Sequence, residues 1–279
     1  MVMDKRKVVI HGADVFGEKL AKRIEYIFDV IGFIDRRASG TNTKKSNIPV
    51  YRDYQDIEEN VDFIILAIPD FNGQQREYVK RGVPFEKILD FRHPYDYEKH
   101  ILHQCLVNEL MRRGVPGSVA ELGVDYGDTA KYINLYFPDR TCYLFDTFSG
   151  FDQRDKDESQ ALTPELLEFY NARSNAERVL ERMFYPEQCV VKAGYFPESL
   201  EGLEDNFAFV HIDCDLYNPI LAGLEYFYPR LNKGGYIAVH DFYNILYPQA
   251  KEAVRDFADK YKLTYMTDFF SDSAIFSKE

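Results

Sequence analysis

"VAELGVDYGDT", residues 119–129, is a short apolar run carrying an acid, then Gly123 and Gly127 with three residues between them, then the start of a helical pattern. A strand that passes through a glycine turn into a helix is the first half of a βαβ unit. The next run, "CYLFDTFSGF" (142–151), reads as the second strand and ends in Asp146. Glycines in the first turn let a ligand approach the backbone, and an acid at the tip of the second strand can accept two ribose hydroxyls. No P-loop lysine is present, so phosphate cradling is not indicated. The competing reading is a plain turn in which the glycines only relieve crowding.

Reading outward, strand signals recur at "SVAELG", "TCYLFD", "CVVKAG", "FAFVHID" and "GGYIAVHD", with a final pair near "LTYMTD" and "SAIFSK". Upstream, residues 7–92 alternate in the same way. "KVVIHG", "DVIGFID", "VDFIILAIP" and "KILDF" read as strands, and "FGEKLAKRIEYIF" and "NGQQREYVKRG" as helices. Continuous apolar strands are those of a parallel sheet covered on both faces. The fold class expected is therefore α/β, with two consecutive Rossmann-like units. "RHPYDY" (92–97) breaks the pattern and places the boundary, giving domains 1–94 and 95–279. A helix follows over "YEKHILHQCLVNELMRRG" (97–114), stopped by Gly114 and Pro116. "DQRDKDESQ" (152–160) reads as a solvated loop or lid.

The 279 residues are 46% hydrophobic and 15% aromatic, enough for packed cores rather than disorder. The formal net charge of −12 argues against nucleic acid or an anionic membrane as partner. No apolar run approaches the length of a membrane span, and the N-terminus lacks the pattern of a signal peptide. Cys105, Cys142, Cys189 and Cys214 lie far apart with no CxxC spacing, which reads as free, mostly buried thiols in a reducing cytoplasm.

The first glycine loop, "HGADVFG" (11–17), is only half a dinucleotide fingerprint. Asp14 stands where the middle glycine belongs, although Asp35 sits where a ribose-binding acid would. A scaffold without cofactor is the favoured reading there. "GFIDRR" and "NIPVY" resemble N-terminal domains of bacterial sugar-modifying proteins, which implies a nucleotide-sugar or sugar-recognition role.

"FAFVHIDCDLYNP" (207–219) ends a buried strand in Asp213 and Asp215, and "GGYIAVHD" ends the next in His240 and Asp241. In a doubly wound sheet ligands gather at the carboxyl ends of the strands. Neighbouring strands lie about 4.8 Å apart, so these side chains can converge on one cation. Oxygen-rich clusters suit magnesium. The competing reading is helix capping and local ion pairs.

The loop Glu121-x-Gly123-x-x-x-Gly127 resembles motif I of class I S-adenosylmethionine (SAM) methyltransferases. "FVHIDCDLYNP", "LEYFYPRLNKGGYIAVHDF", "LFDTFSGF" and "AGYFPESL" together resemble the macrocin O-methyltransferase family over roughly 100–279. That family methylates sugar hydroxyls with metal assistance. The resemblance implies a class I fold with a mostly parallel seven-stranded sheet. It assigns Glu121, Gly123, Gly127, Thr129, Asp146, Thr147, Gly194, Tyr195 and Asp213 to the SAM cofactor. Asp213, His240 and Asp241 become ligands of Mg2+ or Mn2+, and Asp215 the general base. His240 departs from the family, whose antibiotic enzymes mostly carry Asp there. An imidazole tolerates manganese, iron or zinc better than an all-oxygen set does, and it leaves metal dependence itself open. The expected acceptor is a sugar hydroxyl of a nucleotide-linked sugar, glycan or glycosylated natural product. The alternatives are a catechol-like acceptor, or a SAM- or nucleotide-sugar-binding protein without catalysis. The expected partners are the substrate and further copies of the chain, with no nucleic acid and no membrane insertion.

Overall fold

Each half of the chain builds its own mostly parallel sheet. The computed structural model describes residues 5–38, 44–57, 60–68, 71–89, 97–156, 163, 168 and 175–279. Its contacts divide the chain into two units, Met1–Arg112 and Arg113–Glu279. The boundary expected at 94/95 falls in a stretch, residues 90–96, outside the described residues. The helix Tyr97–Arg113 groups with the first unit apart from its last residue, whereas the sequence reading gave it to the second.

The first unit contains β1 (Lys7–His11), α1 (Val15–Ile24), β2 (Asp29–Ile34), β3 (Lys44–Lys45), β4 (Ile48–Tyr51), β5 (Phe63–Leu66), α2 (Phe71–Lys80), β6 (Ile88–Leu89) and α3 (Tyr97–Arg113). Its sheet order is β3-β4-β2-β1-β5-β6. Val8, Val9 and Ile10 are fully buried between β2 and β5, as the continuous apolar run requires. Asp14 caps α1: its carboxylate accepts hydrogen bonds from Phe16 N and Gly17 N at 3.0 Å. The β3–β4 hairpin was not anticipated. It turns on Ser46 and Asn47, both left-handed.

The second unit contains β7 (Ser118–Leu122), α4 (Ala130–Tyr136), β8 (Cys142–Asp146), α5 (Gln153–Lys156), α6 (Ala176–Arg182), β9 (Cys189–Ala193), β10 (Phe207–Ile212), α7 (Tyr217–Arg230), β11 (Leu231–Val239), α8 (Pro248–Tyr261), β12 (Met266–Asp268) and β13 (Ser273–Ser277). The seven strands run β12-β13-β11-β10-β7-β8-β9. From β11 to β9 the pairing is parallel, while β13 runs antiparallel to β11 and β12.

Every residue of β10 is buried, which fits a central strand covered on both faces. Phe207 and Phe227 meet edge to face with centroids 5.0 Å apart, and Phe145 and Phe196 pack around Phe227 at 5.7 and 5.8 Å. This aromatic block fixes α7 on the sheet and so fixes the chain that joins β10 to it. The strand order changes direction between β10 and β7, and a crevice forms at such a switch. The turns after Leu122, Asp146, Ala193, Ile212 and Val239 all leave that same edge.

Candidate active site

The glycine turn is shaped by the protein itself. Gly123 has φ +88°, and a Cβ there would overlap the Asp213 carbonyl oxygen. The turn after β7 therefore presses directly on the acidic turn after β10. Gly127, at φ +80°, would meet Val179 and Met183 at 3.1 and 3.2 Å. Thr129 is buried and opens α4.

Asp146 holds this turn from the neighbouring strand. Its Oδ2 accepts from Val124 N at 2.9 Å and Asp125 N at 3.0 Å, and its Oδ1 accepts from Phe148 N at 2.7 Å. The Thr147 hydroxyl lies 3.5 Å from Oδ1 as well, so the carboxylate ties the turns after β7 and β8 together. Thr147 donates to the Gly150 carbonyl and shapes the loop after β8. Gly194 N bonds to Asp146 O at 2.9 Å, which brings the turn after β9 beside the first two.

Tyr195 donates its hydroxyl to Asp155 at 3.0 Å and lies under the Arg154 guanidinium, 3.6 Å from the ring centroid. Burial, then the Asp155 hydrogen bond, pushes the phenol up to about 12. Asp155 also accepts from the Asn218 amide at 3.4 Å and is only 3% exposed. The start of "DQRDKDESQ" is thus a short helix with one buried acid, not a fully solvated loop; residues 157–160 lie outside the described residues.

Glu121 and His211 face each other across β7 and β10 with a 3.0 Å contact, both essentially without solvent exposure. His211 is thus a core histidine of β10. Its ring centroid lies 6.4 Å from that of His240.

Among the described residues, Asp213, His240 and Asp241 form a cluster whose candidate ligand atoms lie within 4.8 Å of one another. His240 Nδ1 is 3.0 Å from Asp213 Oδ1 and 3.2 Å from Asp241 Oδ1. The Asn244 amide donates to Asp241 Oδ1 at 2.8 Å and orients it. Two carboxylates and an imidazole fit a divalent cation of the magnesium-to-zinc range.

Asp215 shares a side-chain hydrogen bond with Asp241. Burial, then the Asp241 and Asp213 carboxylates, hold its carboxyl well above the usual range, while His240 pulls it down. Crowded carboxylates of this kind retain a proton or recruit a cation. Asp215 and Asp241 both take positive φ, 64° and 62°, uncommon for side chains other than glycine. Cys214 packs against the core between the two acids, and burial raises its thiol.

The model of the family described as Macrocin-O-methyltransferase (TylF) matches residues 99–277. The chain belongs to the macrocin-O-methyltransferase family. Three curated relatives are each similar over 58% of the chain. The mycinamicin III 3''-O-methyltransferase of Micromonospora griseorubida is 27% identical over 177 residues, 58% of this chain and 68% of its own length. An 8-demethyl-8-(2,3-dimethoxy-alpha-L-rhamnosyl)-tetracenomycin-C 4'-O-methyltransferase of Streptomyces olivaceus is 26% identical over 58% of this chain and 65% of its own. The demethyldecarbamoylnovobiocin O-methyltransferase of Streptomyces niveus is 26% identical, with the same two coverages. For the last two relatives the chain spans slightly less than two thirds of their length.

Two solved methyltransferases share the fold. The O-methyltransferase NovP superposes with TM-score 0.55 at 23% identity, covering 65% of this chain and 80% of its own. The calicheamicin methyltransferase CalS11 superposes with TM-score 0.53 at 20% identity, covering 81% and 97%. The class I fold and the SAM-dependent O-methyltransferase class read from the sequence are borne out.

The macrocin-O-methyltransferase unit thus brings the turns bearing Gly123, Gly127, Asp146, Gly194 and Tyr195 to the same sheet edge as Asp213, Asp215, His240 and Asp241. Sequence reasoning missed Asp155, Asn218 and Asn244, although Asp155 lies within "DQRDKDESQ" and Asn218 within "FVHIDCDLYNP". Only their partners reveal them. The thiols are less buried than expected: none of the four is in a disulfide, with Cys142 buried, Cys105 exposed and the other two between. No helix among the described residues is long and apolar enough to cross a membrane.

Proposed function

We propose that this chain transfers the methyl group of SAM to a hydroxyl of a sugar, with Asp215 receiving the hydroxyl proton. The observation that carries the reading is the convergence of Asp213, His240 and Asp241 directly against the Gly123 turn. Cofactor turn and acidic cluster share one backbone contact, so a methyl donor and a hydroxyl placed in them are neighbours.

In this reading Gly123, Gly127 and Thr129 shape the turn that receives SAM. Asp146 and Thr147 meet its ribose, Gly194 and Tyr195 its adenine, and Glu121 steadies the strand through His211. Asp213, His240 and Asp241 hold a divalent cation, magnesium or manganese. When bound, the cation supplies electrostatic stabilisation of negative charge on the acceptor oxygen. The hydroxyl oxygen forms a bond to the methyl carbon as the carbon–sulfur bond breaks, and the electron pair stays on sulfur. The proton passes to Asp215, which must enter the step ionised. In-line displacement needs alignment rather than a covalent intermediate on the protein, so Cys214 has no chemical role.

A second reading rests on the 3.0 Å contact between His240 and Asp213: the pair accepts the proton without a cation. One named relative is a 4'-O-methyltransferase of a rhamnosyl tetracenomycin, which supports a sugar over a catechol-like acceptor. A binding protein without catalysis is disfavoured by the intact acid set. The first unit is then a scaffold or sugar-recognition domain, the free thiols fit a reducing cytoplasm, and the working state is a homo-oligomer.

The test is methyl transfer from SAM to a panel of rhamnosides, with and without EDTA. Asp215→Asn should retain SAM binding and lose turnover by about a hundredfold or more, the usual share of a general base. Full activity in the variant contradicts the assignment. Full activity in EDTA selects the second reading.

A further inference from the structure

Cys142 opens β8 and Cys189 opens β9, and the two are direct register partners in neighbouring parallel strands. Methyl transfer uses neither. Side chains alternate along a strand, so register partners point to the same face. Phe145 points to the face covered by Phe196 and by Phe227 of α7. Cys142, three residues earlier, therefore points to the opposite face, and Cys189 with it. Asn134 of α4 lies on that face, because its amide reaches Cys189 Sγ at 3.5 Å. The two thiols are hydrogen-bonded to each other. Neighbouring strands lie about 4.8 Å apart, inside the Cα range of roughly 4.4–6.8 Å that a disulfide spans.

The pair is also polarised. Cys142 is fully buried, whereas Cys189 is half-buried on the edge strand of the sheet. The hydrogen bond from Cys142 draws the Cys189 thiol below its ordinary value, while that bond and then burial hold Cys142 well above. The Asn134 amide adds a second donor to the Cys189 sulfur. A reachable sulfur with thiolate character, backed by a second thiol against it, is the arrangement of an attacking and a resolving cysteine. Cys142 needs no access to solvent in that role, since the sulfur it attacks is the one it already touches.

We propose that Cys142 and Cys189 form a reversible oxidation site, closed to an intrachain disulfide by low-molecular-weight disulfides such as oxidised glutathione, and that the bridge staples β9 to β8. The Cys189 thiolate attacks one sulfur of the glutathione disulfide, whose S–S bond breaks to release one glutathione thiolate. Cys142 passes its proton to that thiolate, and its sulfur attacks Cys189 Sγ and releases the second glutathione. Two protein thiols are oxidised, and one glutathione disulfide is reduced to two thiols. β9 pairs with β8 alone, and its carboxyl end leads into Gly194 and Tyr195. The bridge closes the long stretch that carries α5 and α6, which removes freedom from the unfolded chain.

The test incubates the full chain with oxidised glutathione, alkylates the remaining thiols in denaturant, and maps the peptides by mass spectrometry. The expected result is a linked Cys142–Cys189 peptide that dithiothreitol reverses. The oxidised protein should melt about 5 °C or more above the reduced one. Cys142→Ser should stop at a glutathione adduct on Cys189 and show no such rise. The wild-type results decide the matter even where a variant does not fold. Both cysteines still open to alkylation, a wild-type reaction that stops at the glutathione adduct, a link from either cysteine to Cys105 or Cys214, or an oxidised form that melts no higher than the reduced one each overturn the proposal.

Discussion

At the scale of single residues, Asp215 makes the most specific demands. Its folded-state pKa is raised above the ordinary 3.8 by burial and by Asp241 and Asp213. The fold therefore favours its protonated form. That contribution is complete below the unfolded value and is lost as pH rises toward the folded one. Metal-free Asp215→Asn should accordingly melt above wild type by a margin that grows from pH 5 to pH 8, and a margin independent of pH contradicts this. Gly123 makes a different demand. A methyl at φ +88° would collide with the Asp213 carbonyl, and no side chain at that position can rotate away from backbone. Gly123→Ala should cost on the order of 2–4 kcal/mol in denaturant unfolding. An alanine variant as stable as wild type would mean that the two turns do not touch as described. The residue scale is also where the sequence was least informative. Asp213, Asp215, His240 and Asp241 were visible because they end strands, but Asn244 reaches the site from a turn of no distinctive pattern.

Elements were far more legible. β7, β8, β9, β10, β11 and β13 fall within a residue or two of where apolar runs placed them, apart from an earlier start to β11; in β7 and β10 the cause is burial on both faces of a parallel strand, which leaves a continuous apolar signature. α3 ends where Gly114 stops it. The β3–β4 hairpin was missed because Ser46-Asn47 lacks the glycine that usually marks a two-residue turn. The length of "DQRDKDESQ" read as solvated hid Asp155, since composition cannot show which one of several acids turns inward. Two tests belong at this scale. Asp146 links three backbone N–H groups on two loops, so Asp146→Ala should weaken S-adenosylhomocysteine binding tenfold or more while the strands stay paired. Unchanged affinity would mean that the turn keeps its shape without it. Glu121 and His211 form a buried pair, and removing one partner of such a pair costs about 3–5 kcal/mol. Glu121→Ala should fall near that range and Glu121→Gln well below it, since an amide still reaches the ring; equal losses would point to packing rather than polarity.

At the scale of the molecule, the two glycine loops diverged in the way their surroundings dictate. In the first unit Asp14 spends its carboxylate on capping α1, and the sequence already showed a side chain where a phosphate needs bare backbone. In the second, the glycine turn, the Asp146 tie and the acid cluster meet at the switch between β7 and β10. The sequence announced that meeting through spacing and family likeness, but not the hydrogen-bonded coupling between the parts. The central claim is that one edge of this sheet binds a methyl donor and a cation together. Calorimetric titration of S-adenosylhomocysteine into EDTA-treated protein, followed by magnesium or manganese, tests it most directly. The account predicts micromolar cofactor binding and a separate metal heat that disappears in Asp213→Ala while cofactor binding persists. Absence of any cofactor binding would contradict the account.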